Sequence, residues 1–272
     1  MDVAIVIPVY NQLRHTQECL RCLEADIASG VRVIVINNGS TDGTRAWLDA
    51  RNDITIIHND TNRGCAPAWN QGSEAAAGAD WIIVLNNDVL LPPGWCSDLL
   101  NTAKRLGWQI ACPAMREGEL NYDFAEYSKR YRKQMARVIR PGHAHGVCFA
   151  VAREVFETIG HFDEAFRIGQ FEDADFFRRA RRAGFRLGTM GACFIHHFGS
   201  TTQKALREGP PTGPYEAENR AHFRKKWKLG WFRRRWERLG AGARNWRWRT
   251  MELIANGHTL HEKGFNETLR FY

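Results

Sequence analysis

No apolar run in this sequence approaches the roughly 20 residues that a helix needs to span a bilayer, so a transmembrane protein is not expected. The N-terminus, MDVAIVIPVYN, lacks the positively charged region and the longer apolar stretch of a secretory signal. The seven cysteines are odd in number and scattered, and Cys19 and Cys22 form a C-x-x-C without the second pair that a zinc site needs. We therefore expect reduced thiols and a cytoplasmic protein, which could still lie at the inner face of a membrane.

Positive charge is concentrated in one segment near the C-terminus. The 272 residues carry a formal net charge of +8, whereas residues 219–249 alone hold twelve Lys or Arg and one Glu, a net +11 that leaves −3 for the rest. A nearly neutral body does not indicate a nucleic-acid-binding protein, and the basic segment indicates a partner or a surface of its own. The composition, 44% hydrophobic and 25% charged, is that of an ordinary globular protein with a sizeable core.

The basic segment is also rich in aromatic residues. Phe223, Trp227 and Trp231 follow one another at helical spacing, and Trp236, Trp246 and Trp248 come after them. One interpretation is that this stripe packs on the body while the charges face water. The other is that the helix lies on an anionic membrane, which would suit a lipid-linked acceptor. Binding of RNA through the basic and aromatic mixture is a lesser alternative, and we do not expect a nucleic-acid partner.

Apolar segments rich in β-branched residues alternate with helical patterns over the first 115 residues. The predicted strands are Val3–Val9, Val31–Ile36, Ile54–Ile57 and Trp81–Leu85, and the helical patterns lie near 12–28, 42–51, 65–77 and 94–106. Alternation of this kind predicts an α/β fold with a mostly parallel sheet flanked by helices. The nearly continuous apolar character of each run is typical of strands that are covered on both faces.

Polar residues follow each of the predicted strands. Because ligands of open α/β sheets bind beyond the carboxyl ends of the strands, we expect these residues to line one crevice. Arg63 could reach a diphosphate with its fork of donors, or it could remain a solvated loop residue. The candidate ligand-binding residues are Pro8, Tyr10, Asn11, Asn37, Asn38, Asp42, Arg63, Asn86 and Asn87, with Asp88 as a candidate metal ligand.

The second part of the chain breaks this rhythm. Residues 116–142 are charged and contain tyrosines, which predicts a helical or mobile insertion. A strand over His145–Val151, a helix from about 152, a helix over Phe176–Ala183 and a strand over Cys193–His197 are expected after it. We divide the chain into a catalytic domain, 1–205, with a nucleotide-binding half (1–115) and an acceptor half (116–205), and a basic, Trp-rich helical extension, 206–272.

The order of the motifs resembles glycosyltransferase family 2. The resemblance runs from Val3 to about Thr202, and it is carried by IVIPVYN, VINNGSTDGT, NRGCAPAWNQG, VLNNDVLL, GHFDEAF, EDADFFRRARRAG and HHFGS. Each motif is weak alone, but their order and spacing together are specific. The resemblance implies a GT-A fold and a metal-dependent, inverting hexosyl or deoxyhexosyl transfer. The donor would be a UDP- or dTDP-linked sugar, and the acceptor a glycan or lipid-linked hydroxyl in surface polysaccharide or other glycan synthesis.

The resemblance also implies roles for individual residues. The loop from Asn37 to Asp42 would hold the nucleobase, with Asn37 where the family commonly has Asp. Asp88 matches the second Asp of the family's Asp-x-Asp metal motif, and Asn86 stands at the first, which keeps an oxygen but loses a charge. The ion would be Mn²⁺ or Mg²⁺. Read without the resemblance, Asp42 and Asp88 are loop residues that cap the following helices.

The remaining implied roles belong to a histidine and to two carboxylates. The family pattern fits His196 best as a metal ligand, with His197 as the alternative, and only one of two neighbouring strand residues can point inward. Asp173 stands where the family has its general base, and Glu172 would orient the loop or contact the acceptor. Without the resemblance, these carboxylates could simply favour the N-terminus of the following helix.

Two other classes of protein remain as alternatives. A sugar nucleotidyltransferase usually has a Gly-rich basic loop after its first strand, whereas this sequence has Pro8-Val9-Tyr10-Asn11 there. A non-catalytic nucleotide-sugar-binding protein on a degenerate transferase fold is kept open by the amides Asn37 and Asn86.

Overall fold

The structure is a computed structural model that describes residues 1–199, 214–265 and 268–272. Two features of the sequence analysis, Ser200 of the HHFGS motif and the expected domain boundary between residues 205 and 206, lie outside the described residues. The described chain forms a mixed, mostly parallel sheet flanked by helices, which confirms the predicted α/β fold class.

The first 115 residues, the predicted nucleotide-binding half, contribute four parallel strands in the order β3-β2-β1-β4. Every residue of β4 is buried, as expected for a continuous apolar run in the middle of a sheet. The helical pattern near 12–28 forms two helices that meet at Leu23. The elements are β1 Val3–Val9, α1 Leu13–Cys22, α2 Glu24–Ala28, β2 Arg32–Asn38, α3 Thr44–Asp49, β3 Thr55–Asn59, α4 Cys65–Ala75, β4 Trp81–Leu85, β5 Val89–Leu90 and α5 Trp95–Leu106.

The second half extends the same sheet beyond β4. Strand β8 is antiparallel to both β4 and β6, and β9 runs parallel to β6. The segment 116–142, predicted to be an insertion, holds the end of β6, a helix and a short strand. These elements are β6 Ile110–Gly118, α6 Phe124–Met135, β7 Ile139–Pro141, β8 Cys148–Ala152, α7 Arg153–Ile159, α8 Glu172–Arg182 and β9 Leu187–His197.

The two-residue strand β5 determines which end of β9 meets the nucleotide-binding half. It pairs with β9 in the antiparallel direction, with Val89 opposite His197 and Leu90 opposite His196. The end of β9 is therefore brought beside Asp88, which immediately precedes β5.

The C-terminal extension begins with two helices, α9 Tyr215–Lys226 and α10 Trp231–Asn256, and these confirm the predicted basic, Trp-rich helical segment. Two strands that no pattern predicted follow them, β10 His261–Phe265 and β11 Thr268–Phe271. Strand β10 pairs in parallel with β6, so the end of the chain completes the edge of the catalytic sheet. Among the helices that the structure describes, none is long and apolar enough to cross a membrane.

Candidate functional site

A cavity of 330 Å³ lies at the carboxyl ends of β1, β2 and β4, where the topology predicted a ligand site. Its volume falls within the range of small-molecule sites. Most of the predicted site residues line it, and several residues that the sequence analysis did not single out line it as well. The predicted ones are Pro8, Tyr10, Asn38, Asn86, Asn87, Asp88, Glu172, Asp173 and His197, and the others include Asn62, Cys65, Gly146, Ile168, Gln170 and Tyr215.

Asn11 and Asn37 do not line this cavity and instead shape the loop after β2. The side-chain Nδ2 of Asn37 lies 2.9 Å from Nδ1 of His58, and its Oδ1 accepts a hydrogen bond from the backbone of Ser40 at 3.1 Å. Oδ1 of Asn11 accepts from the backbone of Thr41 at 2.7 Å. Both amides are used to join loops to one another, so their contribution to the cavity is the position of the loop.

Asp42 and Arg63 also lie outside the cavity lining. Oδ2 of Asp42 accepts from the backbone of Leu13 at 3.0 Å, and Oδ1 accepts from the hydroxyl of Thr44 at 2.5 Å. Partial burial opposes these bonds, but the donors prevail and lower the pKa of Asp42. Asp42 thus ties the start of α3 to the start of α1. Arg63 is exposed beside Asn62 and Gly64, which do line the cavity.

Asp88 and His197 form a buried pair at the junction of the two halves. Nε2 of His197 lies 3.3 Å from Oδ1 of Asp88. Burial alone would lower the pKa of His197, but the Asp88 carboxylate raises it above its ordinary value. Nδ1 of His197 is buried and has no hydrogen-bond partner among the residues that the structure describes.

This pair fits part of a metal site. Two ligands in neighbouring positions on one cation stand about 3 Å apart, since metal–ligand bonds to nitrogen and oxygen are about 2.0–2.2 Å long. The 3.3 Å separation of Asp88 and His197 is close to that value. However, no group of three or more His, Cys, Asp or Glu side chains within the described ranges could hold a metal. A cation here would therefore take much of its coordination from a bound ligand or from water.

The geometry favours His197 over His196, which the sequence analysis had preferred as the metal ligand. His196 is fully buried on the other side of β9, where its Nδ1 lies 2.9 Å from the hydroxyl of Tyr122 and its ring packs against Phe198. Burial lowers the pKa of His196 to about 3. Because His197 lines the cavity and His196 does not, the preference for His196 is corrected in favour of its neighbour.

Asp173 lies in the first turn of α8, which begins at Glu172, four residues earlier than the periodicity predicted. Oδ1 of Asp173 accepts from the backbone of Ala174 at 2.7 Å, and the backbone amide of Gly146 also donates to this carboxylate. Gly146 has no room for a side chain, because a Cβ there would stand 2.5 Å from Oδ2 of Asp173. The backbone of residue 146 therefore holds the carboxylate in position.

Glu172 and Asp173 cannot both ionise easily in this cavity. Burial and the neighbouring Asp173 raise the pKa of Glu172 to about 8, and burial also raises the pKa of Asp173. Glu172 is 4% exposed, and within the described part of the chain its Oε2 has no hydrogen-bond partner, although backbone hydrogen bonds from Glu172 and Gln170 oppose the rise in its pKa. Since hydrogen bonds to a carboxylate favour its anion, the backbone amides of Ala174 and Gly146 oppose this rise in the pKa of Asp173.

The loop before α8 is held in an unusual conformation. Ile168, Gln170 and Phe171 have φ values of 60°, 76° and 77°, which are unfavourable for residues with side chains. Gly64 permits the close approach of this loop to the other half, because a Cβ at residue 64 would meet the backbone of Ile168 at 2.7 Å. The strain thus lies in a segment that lines the cavity, through Ile168 and Gln170.

Asn219 of α9 holds this strained loop, and nothing in the sequence pattern singled it out. Its Nδ2 donates to the carbonyl oxygens of Arg167 and Gly169 at 2.8 Å and of Gln170 at 3.2 Å, and its Oδ1 accepts from the backbone of Arg167 at 3.0 Å. A single Asn in a basic helix carries no signal of this role. The C-terminal extension is therefore part of the wall that supports the site.

Comparisons with known proteins bear on the family and the fold of this chain. The profile of the family described as Glycosyl transferase family 2 matches residues 4–160, which is more than half of the chain. One relative is the low-salt glycan biosynthesis hexosyltransferase Agl10 of Haloferax volcanii, 26% identical over 69% of this chain and 64% of its own length. Another is the N-acetylglucosaminyl-diphospho-decaprenol L-rhamnosyltransferase of Mycobacterium tuberculosis, 29% identical over 74% of this chain and 78% of its own.

A third relative is the succinoglycan biosynthesis protein ExoA of Rhizobium meliloti, 29% identical over 67% of this chain, and the match spans 59% of that protein. Among solved structures, GalNAc-T7 with UDP, GalNAc and Mn²⁺ matches with a TM-score of 0.57 and 14% identity, over 72% of this chain and 44% of that one. Residues 1–349 of TarS from S. aureus match with a TM-score of 0.55 and 14% identity, over 76% and 64%. At this level of identity the structural matches show the fold.

Proposed function

The chain belongs to glycosyltransferase family 2 and has the GT-A fold, and from this premise we propose that it transfers a hexosyl or deoxyhexosyl group with inversion. The donor in this proposal is a UDP- or dTDP-linked sugar, and the acceptor is a hydroxyl of a glycan or of a lipid-linked glycan. The names of the relatives, which refer to glycan, succinoglycan and decaprenol-linked substrates, support this class of acceptor.

One observation carries the proposal. The same cavity at the strand ends is lined both by Asp173, a member of a buried carboxyl pair, and by the Asp88–His197 pair. An inverting transfer needs these two groups on one substrate: a base at the attacking hydroxyl and a centre that binds the departing diphosphate.

Asp173 acts as the general base in this scheme. It takes the proton of the acceptor hydroxyl while that oxygen forms a bond to the anomeric carbon and the bond from that carbon to the diphosphate breaks. The displacement is direct, so no second catalytic carboxylate is required. Glu172 retains its own proton because of its raised pKa, and it can therefore donate a hydrogen bond without adding a second negative charge beside Asp173.

Asp88 and His197 would hold the divalent cation, Mn²⁺ or Mg²⁺, with the side-chain oxygen of Asn86 nearby in the same lining. When bound, such an ion neutralises the charge that develops on the leaving diphosphate. Because the protein offers few ligands, this proposal includes weak binding of metal in the absence of donor. The solved structure of GalNAc-T7 holds Mn²⁺ together with UDP, which supports the same pairing of metal and nucleotide here.

The nucleoside end of the donor is proposed to lie along Pro8, Tyr10 and Asn38, which line the cavity on the β1 and β2 side. Asn11, Asn37 and Asp42 support this end from behind, through the loop bonds that they make. Arg63 is adjacent and exposed, within the segment that leads from β3 to the cavity, and its fork of donors suits a phosphate.

The decisive experiment is to replace Asp173 with Asn and to measure donor turnover and nucleotide binding separately. Transfer or donor hydrolysis, screened over UDP- and dTDP-sugars with Mn²⁺, should fall about 10²- to 10⁴-fold, the usual contribution of a general base. Calorimetric binding of the nucleoside diphosphate should persist, and Asp53→Asn in the exposed connection between α3 and β3 serves as the control. Turnover close to that of the unmodified protein would remove Asp173 as the base.

The same calorimetry, together with the turnover assay, distinguishes the proposed transferase from a non-catalytic binding protein. The amides Asn37 and Asn86, which stand where carboxylates are common in the family, favour a non-catalytic nucleotide-sugar-binding protein as the second candidate. Binding of nucleoside diphosphate without turnover of any donor by the unmodified protein would support that candidate, and any metal-dependent turnover would exclude it.

A further inference from the structure

The two helices of the C-terminal extension have opposite relations to the body of the protein. Directly after α9, Trp227 is buried and its Nε1 donates to Asp175 of α8 at 2.9 Å. In the 26-residue helix α10, large apolar side chains are exposed instead. Within the segment 219–249, the interpretation of packing on the body therefore applies to the first helix, and the interpretation of surface contact applies to the second.

One face of α10 is fixed to the body by charged and aromatic contacts. Glu237 accepts from Arg178 of α8 at 2.9 Å. Glu252 accepts twice from Arg140 at 2.7 Å in a pair that is almost completely buried. The ring of Trp248 lies between these two positions along the helix and contacts His143 and Arg140. The orientation of α10 about its own axis is thus determined by side chains at both ends of the contact.

The opposite face of α10 carries a stripe of exposed apolar residues. At about 100° per residue, five of them fall within a sector of about 80° on the side away from Glu237, Trp248 and Glu252. Trp236 is 74% exposed and Ile254 is 82% exposed, so no other described part of the chain covers them. The members of this outward stripe are Phe232, Trp236, Leu239, Trp246 and Ile254.

Arginines border the outward stripe on both sides. With the same angle of about 100° per residue around the helix axis, Arg235 and Arg249 lie on one edge of the stripe, and Arg233, Arg244 and Arg247 lie on the other. The only acidic residues of α10 are Glu237 and Glu252, and both are on the packed face with arginine partners. The stripe is therefore apolar along its centre, positive along its edges and free of acidic side chains.

We propose that the outward stripe binds the surface of an anionic lipid membrane, with α10 lying parallel to the bilayer. A helix with aromatic and aliphatic residues on one face and Arg at the edges inserts its apolar side among the headgroups, while its charges meet lipid phosphates. The charge complementarity of the Arg edges selects an anionic surface, and the absence of acidic side chains on the stripe removes the repulsion that would oppose it. This inference does not depend on the proposed reaction.

Vesicle sedimentation of the full chain tests the proposal. Vesicles of equal parts phosphatidylcholine and phosphatidylglycerol should bind the protein at low salt, and vesicles of phosphatidylcholine alone should bind it much more weakly. The triple variant Phe232→Ser, Trp236→Ser, Trp246→Ser should lose at least about tenfold in affinity, because each aromatic side chain adds favourable burial. The triple variant Arg235→Gln, Arg247→Gln, Arg249→Gln should lose about 100-fold, since each Arg near an anionic surface contributes about fivefold.

Matched controls use exposed residues elsewhere. Leu120→Ser removes an exposed apolar side chain, and Lys129→Gln, Lys133→Gln, Arg137→Gln removes three exposed charges, two from α6 and one from the turn after it. Both controls should bind vesicles like the unmodified protein, and thermal melting should show that every variant is folded. Failure of the unmodified protein to bind anionic vesicles at low salt would overturn the proposal. So would equal binding by the stripe variant, or a dimer in solution that the stripe variant abolishes, because a second copy would then be the occupant.

Discussion

Replacing Gly146 with Ala tests how tightly the proposed base is positioned. A Cβ at residue 146 would stand 2.5 Å from Oδ2 of Asp173, whereas ordinary contact begins at 3.4 Å, so the carboxylate must move by about 0.9 Å. A misplacement of about 1 Å in a reacting group can cost about 10²-fold in rate. We therefore expect kcat to fall about 100-fold while the dissociation constant of the nucleoside diphosphate stays nearly unchanged.

Steady-state transfer assays and calorimetry of donor binding measure these two effects separately. Gly240→Ala is the matched control, because a methyl group there meets nothing within 4 Å. A double-mutant cycle makes the test specific: in the Asp173→Asn background, Gly146→Ala should cause little further loss, because the group that it displaces is already inactive. The reasoning fails if Gly146→Ala keeps the original kcat, or if it lowers the rate by the same factor in both backgrounds.

Three further predictions concern the surroundings of the site. The pKa of Glu172 is about 8 in the folded protein against an ordinary value of 4.5. The protonated carboxyl therefore favours the folded state, and this contribution to the free energy of unfolding is complete below pH 4.5 and is lost as the pH rises through 8. The free energy of unfolding should fall by up to about 1.4 kcal/mol per pH unit between these two values, and Glu172→Gln should remove this fall. Urea unfolding at several pH values measures it, and the same pH dependence in both proteins would contradict a raised pKa. Asn219→Ala leaves backbone carbonyls of the strained loop without a donor. We expect a loss of about 1–3 kcal/mol of stability and a higher KM for the acceptor, and an unchanged KM would contradict the positioning role. His197→Gln should abolish Mn²⁺-dependent turnover and donor-linked Mn²⁺ binding in calorimetry, whereas His196→Gln should retain both, and the reverse result would restore His196 as the ligand.

The strands of the nucleotide-binding half could be predicted because their signal is local. Val3–Val9 and Trp81–Leu85 are uninterrupted apolar runs, and the structure has strands with these same bounds. The start of α8 could not be placed as well. The helix begins at Glu172 because Phe171, with φ of 77°, ends the preceding loop there, and hydrophobic periodicity does not detect such a conformation.

The parts of the site that the sequence did not reveal depend on contacts between distant segments. Alternation along a strand indicates that only one of His196 and His197 faces inward, but the pairing of β5 with β9 determines which one. The role of Asn219 depends on the docking of α9 against a loop about 50 residues earlier in the chain. Strand β10, HEKGF, has no apolar alternation, and it forms because β6 offers it an open edge.

Helix α8 connects the proposed base to the C-terminal extension. Asp175 is fully buried two residues after Asp173, and its carboxylate accepts from Arg179, from Lys226 and from Nε1 of Trp227, each at 2.9 Å. A buried carboxylate is costly unless its partners are present, and two of these three partners, Lys226 and Trp227, lie at the end of α9. The same helix that stabilises Asp175 also holds the acceptor-side loop through Asn219. The extension therefore stabilises the turn that carries Asp173, and its first helix is better regarded as part of the catalytic unit than as an appendage.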